Sequence, residues 1–194
     1  MNLEQIKNQT RPLINQVSPI SEESLTLVAG LVEVENYKKG DVFIDRGKKN
    51  NKEYFVFDGV CRSFLLSPDG DEITISYFLE GGVLSPNKTR TANQLSHLNL
   101  QALTDLTLAS LNADEFEQLM ISHIDIREFG NMVLRNELLS KVEKEIGLTS
   151  LNAKERLIKF REKYHFLENL ISHVDIASYL GITNVSLSRL RKEL

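Results

Sequence analysis

Cysteine is nearly missing from this chain of 194 residues: Cys61 stands alone. One thiol excludes a disulfide framework and any multi-cysteine zinc or iron–sulfur site. Long apolar runs are also missing, and no stretch approaches the ~20 residues needed to cross a bilayer. The start, MNLEQIKNQTRP, has no basic n-region followed by an apolar h-region. These absences predict a protein of the reducing cytoplasm with no membrane partner. Histidine is scarce. His97, His123, His165 and His173 are the complete set, and none pairs with Cys61 at a ligand spacing. A β-roll enzyme with a metal inside its barrel needs two or three histidines and a carboxylate, usually with two histidines close together on a strand. That set is not here, and neither is a Ser/His/Asp grouping or a phosphate loop. The expectation is a non-enzyme: no catalytic residue, no metal ligand, no cofactor. Internal repeats and low-complexity segments are absent as well.

The remaining composition is ordinary for a globular protein, with 41% hydrophobic and 26% charged residues. Net charge is −4, which argues against nucleic acid, but the average hides an asymmetry. From Arg135 onward eleven lysines and arginines stand against eight acids, a net +3; the rest of the chain carries −7. A positive end on an acidic body is compatible with DNA, because only the face near phosphate must be positive.

Residues 2–35 read as helical, with Ser21 capping SEESLTLVAGLV. From Tyr37 the pattern becomes short β-rich runs. Asp58-Gly59 predicts one tight hairpin, Pro68-Asp69-Gly70 a second and Gly81-Gly82 a third break. Ile73, Ile75 and Tyr77 alternate with Thr74 and Ser76 like a half-buried strand, and LNLQALTDLTLASLNA reads as a further strand pair. Residues 37–112 are thus expected to form an antiparallel barrel or roll, with the polar stretch 85–97 a loop or short helix. Asn112 then caps a helix. A longer one follows over about 125–147, with apolar residues Ile126, Phe129, Val133, Leu134, Leu138, Val142 and Ile146 at three- and four-residue steps. They either pack on the chain's own core or make a seam with a second copy. A separate helix follows, capped by Ser150 or Asn152.

The end of the chain carries the sharpest pattern, in IASYLGITNVSLSRL. From His173 on, Ile176 and Leu180 suit the buried side of a first helix. Ala177 is small where a second helix crosses. Gly181 supplies the positive φ of a tight turn. Ile182, Leu187 and Leu190 bury the second helix, which Thr183 caps. Each of these residue types suits a helix-turn-helix. Thr183, Asn184, Val185, Ser186, Ser188 and Arg189 then belong to the front of the second helix, the part that enters a DNA major groove, with Arg191 and Lys192 following the backbone.

Taken in order, YKKGDVFIDRG, YFVFDGVCRSF, DGDEITISYFLEGG, the helix near 125–147, KERLIKFREKY and IASYLGITNVSLSRLRK resemble the Crp/Fnr superfamily of bacterial transcription regulators over nearly the whole length. The resemblance implies an α+β chain in three parts. Residues 1–123 would be a sensory β-roll of the cyclic-nucleotide-binding type with N-terminal helices. Residues 124–148 would be the dimerisation helix, carrying the seven apolar residues named above, and 149–194 a DNA-binding domain. It implies a homodimer on double-stranded DNA, with RNA polymerase a further candidate partner. Cyclic-nucleotide binders of this kind carry a Gly-Glu pair and an arginine on the phosphate. Those positions fall near Ser85-Pro86 and Ser96 here, and Arg90 is out of register. The expectation is a regulator that does not answer to cyclic nucleotides, with an unknown small molecule or none in a pocket near Gly82, Leu84, Ser85, Asn93 and Ser96, covered by residues 85–97. The β-hairpin wing that follows the recognition helix in many relatives is expected to be short or missing, and Val185 replaces a glutamate common there. The alternative is a sensor or adaptor that acts through protein contacts without specific DNA binding.

Overall fold

The computed structural model describes residues 1–194. Helices α1 (Leu3–Val17) and α2 (Glu22–Gly30) open the chain, capped by Asn2 and Ser21. Nine strands follow: β1 (Glu33–Tyr37), β2 (Val42–Ile44), β3 (Lys52–Asp58), β4 (Val60–Leu66), β5 (Glu72–Leu79), β6 (Thr91–Ala92), β7 (Leu95–Ser96), β8 (Asn99–Ala102) and β9 (Leu106–Asn112), with a one-turn helix α3 (Asn87–Arg90) before β6. Six helices complete the chain: α4 (Ala113–Ser122), α5 (Ile124–Ser150), α6 (Ala153–Lys163), α7 (Leu167–Leu170), α8 (His173–Leu180) and α9 (Asn184–Glu193).

The strands form two antiparallel sheets, in the orders β1-β9-β3 and β2-β8-β4-β5, plus the small β6-β7 hairpin. Their inner faces meet in one core that includes Tyr54, Val56 and Leu108 from the first sheet and Cys61, Leu100 and Phe78 from the second. Each outer face is covered by helices. On the first sheet Phe55, Phe57, Ala109 and Leu111 pack against Leu13, Ile14, Phe116, Ile126 and Phe129. On the second, Val60 and Tyr77 pack against the C-terminal helices. This four-layer arrangement explains the uninterrupted burial of Tyr54-Phe55-Val56-Phe57: a strand covered on both faces has no solvated side to alternate with.

The roll expected over 37–112 is present, but starts at β1 and pairs differently in three places. Asp58-Gly59 is not a hairpin. Strand β3 pairs with β9 and β4 with β5 and β8, so the chain changes sheets at Gly59. LNLQALTDLTLASLNA likewise divides between sheets, as β8 and β9. In β5 the predicted alternation is broken by a bulge: Ser63 pairs with Ser76 and Phe64 with Thr74, leaving Ile75 as the extra residue. An inserted residue reverses the face beyond it, so Thr74 is buried and Ile73 exposed. Pro68-Asp69-Gly70 does turn the β4–β5 hairpin, with Gly70 at φ 89°.

Gly59 has φ 89°, and a Cβ there would lie 2.2 Å from the Asp105 carbonyl oxygen. That oxygen belongs to the backbone between β8 and β9 and has little room to move. Gly59→Ala is expected to cost more than ~2 kcal/mol, adding left-handed strain to a backbone clash. Equilibrium urea unfolding checks it.

Candidate nucleic-acid interface and inter-layer cavities

The C-terminal helices pair as the residue types require. Ser172 caps α8 through the Asp175 amide. Gly181 takes φ 66° in the left-handed region, and the Ile182 amide donates back to the Ala177 carbonyl at 3.0 Å. Thr183 Oγ1 accepts the Ser186 amide at 3.1 Å and starts α9. Ile176, Ala177, Leu180 and Leu187 are buried together.

Of the residues predicted on the front of α9, Thr183, Asn184, Val185, Ser188 and Arg189 are exposed. Ser186 is half-buried, its hydroxyl 2.9 Å from Thr183 Oγ1. Arg191 and Lys192 differ. Lys192 stands clear in solvent. Arg191 is half-buried; its Nε lies 2.6 Å from Glu168 Oε1, and its Nη1 2.6 Å from the His173 ring. Its charge is thus already spent inside the helical layer.

That layer is seated on the roll. Ser178 Oγ accepts the Thr74 amide at 2.8 Å and donates to the Glu72 carbonyl at 2.7 Å. Beside it, Arg62 on β4 is buried yet charged. Its guanidinium meets Asp175 Oδ1 of α8 at 2.5 Å, the Glu72 carboxylate, Thr74 Oγ1 and Gln101 Oε1. The two carboxylates come from different layers, so one cation ties the hairpin to the helix-turn-helix. Behind it Tyr77 contacts Phe160, Tyr164 and Tyr179 edge-on or tilted, with ring centroids 5.1–6.1 Å apart. Reading the chain locally missed this contact; a lone arginine inside the apolar run VCRSF was its available trace.

Residues 34–123 match the cyclic nucleotide-binding domain family. The anaerobic regulatory protein of Haemophilus influenzae is 24% identical over 184 residues, covering 88% of this chain and 70% of that one. Among solved structures, FixK2 from Bradyrhizobium japonicum superposes with a TM-score of 0.74 at 21% identity, over 84% of both chains. A transcriptional regulator of the crp/fnr family from Eubacterium rectale gives 0.71 at 17% identity, over 94% of this chain and 85% of that one.

The chain has the fold of these regulators and resembles the Crp/Fnr superfamily.

Within this chain, the expected seam of α5 divides. Ile126 and Phe129 are buried in the chain's own N-terminal core, Phe129 with its ring centroid 6.2 Å from that of Phe55. They leave the expected contact with a second copy, because the start of α5 lies under α1 and α2. Val133 packs at the edge of the same cluster. Leu134, Leu138, Val142 and Ile146 remain exposed, Leu138 at 63%.

The expected ligand pocket also needs correction. A cavity of about 510 Å³ does lie against the roll, lined by Gly82 and Leu84. Its other walls are β5, α1 and α5, with Lys163 and Tyr164 at the end of α6 and Tyr179 of α8, and of residues 85–97 only Pro86 reaches it. Ser85 is buried with its hydroxyl on Glu137 at 2.6 Å, and Ser96 is buried with its hydroxyl on the Leu98 carbonyl. Asn93 sits at φ 51° in the β6–β7 turn. The segment is occupied by Arg90 instead. This arginine is 1% exposed, and each guanidinium nitrogen donates to the chain itself: Nε to the Ser85 carbonyl, Nη1 to Asn50 Oδ1, Nη2 to the Lys52 carbonyl. Burial pushes the neighbouring Glu53 carboxyl up to about 7, with the Asn87 amide and the Arg90 charge pulling the other way.

Lys144 on α5 is the least expected group. Its ammonium donates to the Thr74 and Ile75 carbonyls at 3.1 and 2.7 Å and lies 4.0 Å from the Tyr179 ring centroid, with no carboxylate partner. Burial, helped by the charges of Lys141 and Lys163, lowers its pKa to about 7. Between pH 7 and the ordinary lysine value of 10.5 the unfolded chain then binds a proton that the folded chain does not. Stability from this group rises with pH across that window, and its full penalty is present below pH 7. Lys144→Met should therefore gain most over the parent at or below pH 7, and the gain should shrink toward pH 10. Parallel urea denaturation of both proteins across that range measures it.

Proposed function

We propose that this chain is a cytoplasmic, homodimeric, sequence-specific DNA-binding transcription regulator, and that it does not respond to cyclic nucleotides. The observation that carries the reading is the exposed front of α9. Thr183, Asn184, Ser188 and Arg189 face solvent at the N-terminal end of a helix whose far side is buried. Short polar side chains let such a helix lie close in a major groove, and Arg189 has the length and fork to address a guanine edge. Dimerisation is assigned to the exposed stripe Leu134, Leu138, Val142 and Ile146. On a two-fold pair, the two α9 helices address half-sites about 34–36 Å apart.

The organisation that goes with it is a sensory part over 1–123, a dimerisation helix over 124–148 and a DNA-binding part over 149–194. The cyclic-nucleotide exclusion rests on Arg90. A phosphate buried in the roll needs an accessible cation, and this arginine is 1% exposed, with all three nitrogens turned onto Ser85, Asn50 and Lys52.

A second reading, an adaptor working through protein contacts, is favoured by Val185, an apolar side chain 62% exposed at the head of α9. Salt separates the two. A regulator that neutralises several phosphates loses DNA affinity steeply as salt rises, with log affinity linear in log salt.

Selection of bound genomic fragments should yield a two-fold symmetric motif. Arg189→Ala should lose enrichment at one base position per half-site, worth ~1–3 kcal/mol. An unchanged motif would remove Arg189 from base readout. Replacing Leu138 and Val142 together by Asp should give a folded monomer in sedimentation, with DNA affinity reduced at least ~10-fold, because two half-sites no longer bind as a unit.

A further inference from the structure

A second cavity, of about 530 Å³, adjoins the first and shares Ser140, Lys144, Lys163, Tyr164 and Tyr179 with it. Its walls are the C-terminal half of α5, helix α6 and the end of α8, and no strand residue lines it. The size suits a small organic molecule. Its charge is unbalanced. Lys144, Arg156, Lys159 and Lys163 line it against two carboxylates, Glu143 and Glu162, and neither carboxylate makes an ion pair with any of the four. The donors are also underused. Arg156 Nη1 donates to the Leu151 carbonyl at 2.8 Å, but its Nε is buried and has no partner. Lys163 gives one N–H to Ser140 Oγ at 2.9 Å, and two remain. Lys144 gives two to β5 carbonyls and keeps one. A buried donor without an acceptor is costly, and several cations in one hollow repel. Both penalties are relieved by one ligand that brings negative charge and several acceptor oxygens. The rest of the wall includes Leu148, Phe160, Leu180 and Tyr179, which suits an apolar or flat body.

We propose that this cavity is a binding site for a small phosphomonoester with an apolar body, its phosphate held between α5 and α6 by Arg156, Lys163 and Lys144. The site is separate from the roll interior and from the face of α9, and it stands without the DNA-binding reading. A ligand there bridges the long helix and the helical layer, so it fixes their relative placement. Its charge also favours the protonated form of Lys144, so binding near pH 8 takes up a proton.

Phenyl phosphate is the probe, titrated calorimetrically into the full chain with no DNA present. It should bind saturably, and at least tenfold more tightly than phenyl sulfate, which has the same body and one charge fewer. Arg156→Gln and Lys163→Gln should each weaken it tenfold or more; Lys163 is exposed, so its variant keeps the fold even if that of Arg156 does not. Lys154→Gln, on α6 outside the cavity, should match the parent. No saturable heat, or equal affinity in the Lys163→Gln variant, overturns the assignment. So does a result in which both variants lose affinity for duplex DNA and none for phenyl phosphate, since the cations would then belong to the nucleic-acid face.

Discussion

Arg62 is a charge in the middle of a buried strand, and the fold around it is arranged to meet that charge. A guanidinium taken out of water needs opposite charge and several acceptors close by, and losing one partner leaves it uncompensated. Here one carboxylate comes from the β4–β5 hairpin and the other from α8, more than a hundred residues later in the chain. The consequence is that the helix-turn-helix is seated in one orientation on the second sheet. Ser178 adds a directional pair of hydrogen bonds to the β5 backbone, and Tyr77 supplies the apolar contact behind them. Roll and helical layer therefore share one core.

That seating has consequences for both ends of the molecule. The buried side of α9 is held through Leu187, which leaves its front free, while Arg191 is drawn inward to Glu168. Along α5, the first turns are covered by α1 and α2 and the last turns run past α6. Only the middle and the distal outward stripe remain apolar and uncovered. The basic cavity between α5 and α6 arises from the same packing, because two helices rich in lysine are brought side by side around a few large apolar residues.

The cyclic nucleotide-binding domain family match and the Arg90 geometry belong together. The matched residues, 34–123, include the one-turn helix α3. Here that helix turns its own arginine inward onto backbone and amide oxygens. A fold is a scaffold, and the residues at the site decide what it holds. An input to this chain is better sought where cations have donors to spare than where a buried arginine has each nitrogen engaged.

Much of this was legible locally. The caps at Ser21, Asn112 and Thr183, the turn at Gly70 and the helix-turn-helix around Gly181 depend on a few neighbouring residues, and each is where the sequence alone puts it; of Ser150 and Asn152, the structure chooses Asn152 as the cap of α6. So are the roll and the long helix as elements. Local pattern could not decide which strands pair, so Asp58-Gly59 reads as a hairpin although its strands enter different sheets. It could not show that a bulge at Ile75 turns Thr74 inward, that Ile126 and Phe129 face the N-terminal helices, or that Arg62, Asp175 and Glu72 meet. Local conformation is set by steric and hydrogen-bonding preferences within a turn or two of chain. Burial and charge pairing are set by surfaces far apart in sequence, and those exist only once the layers have closed on one another.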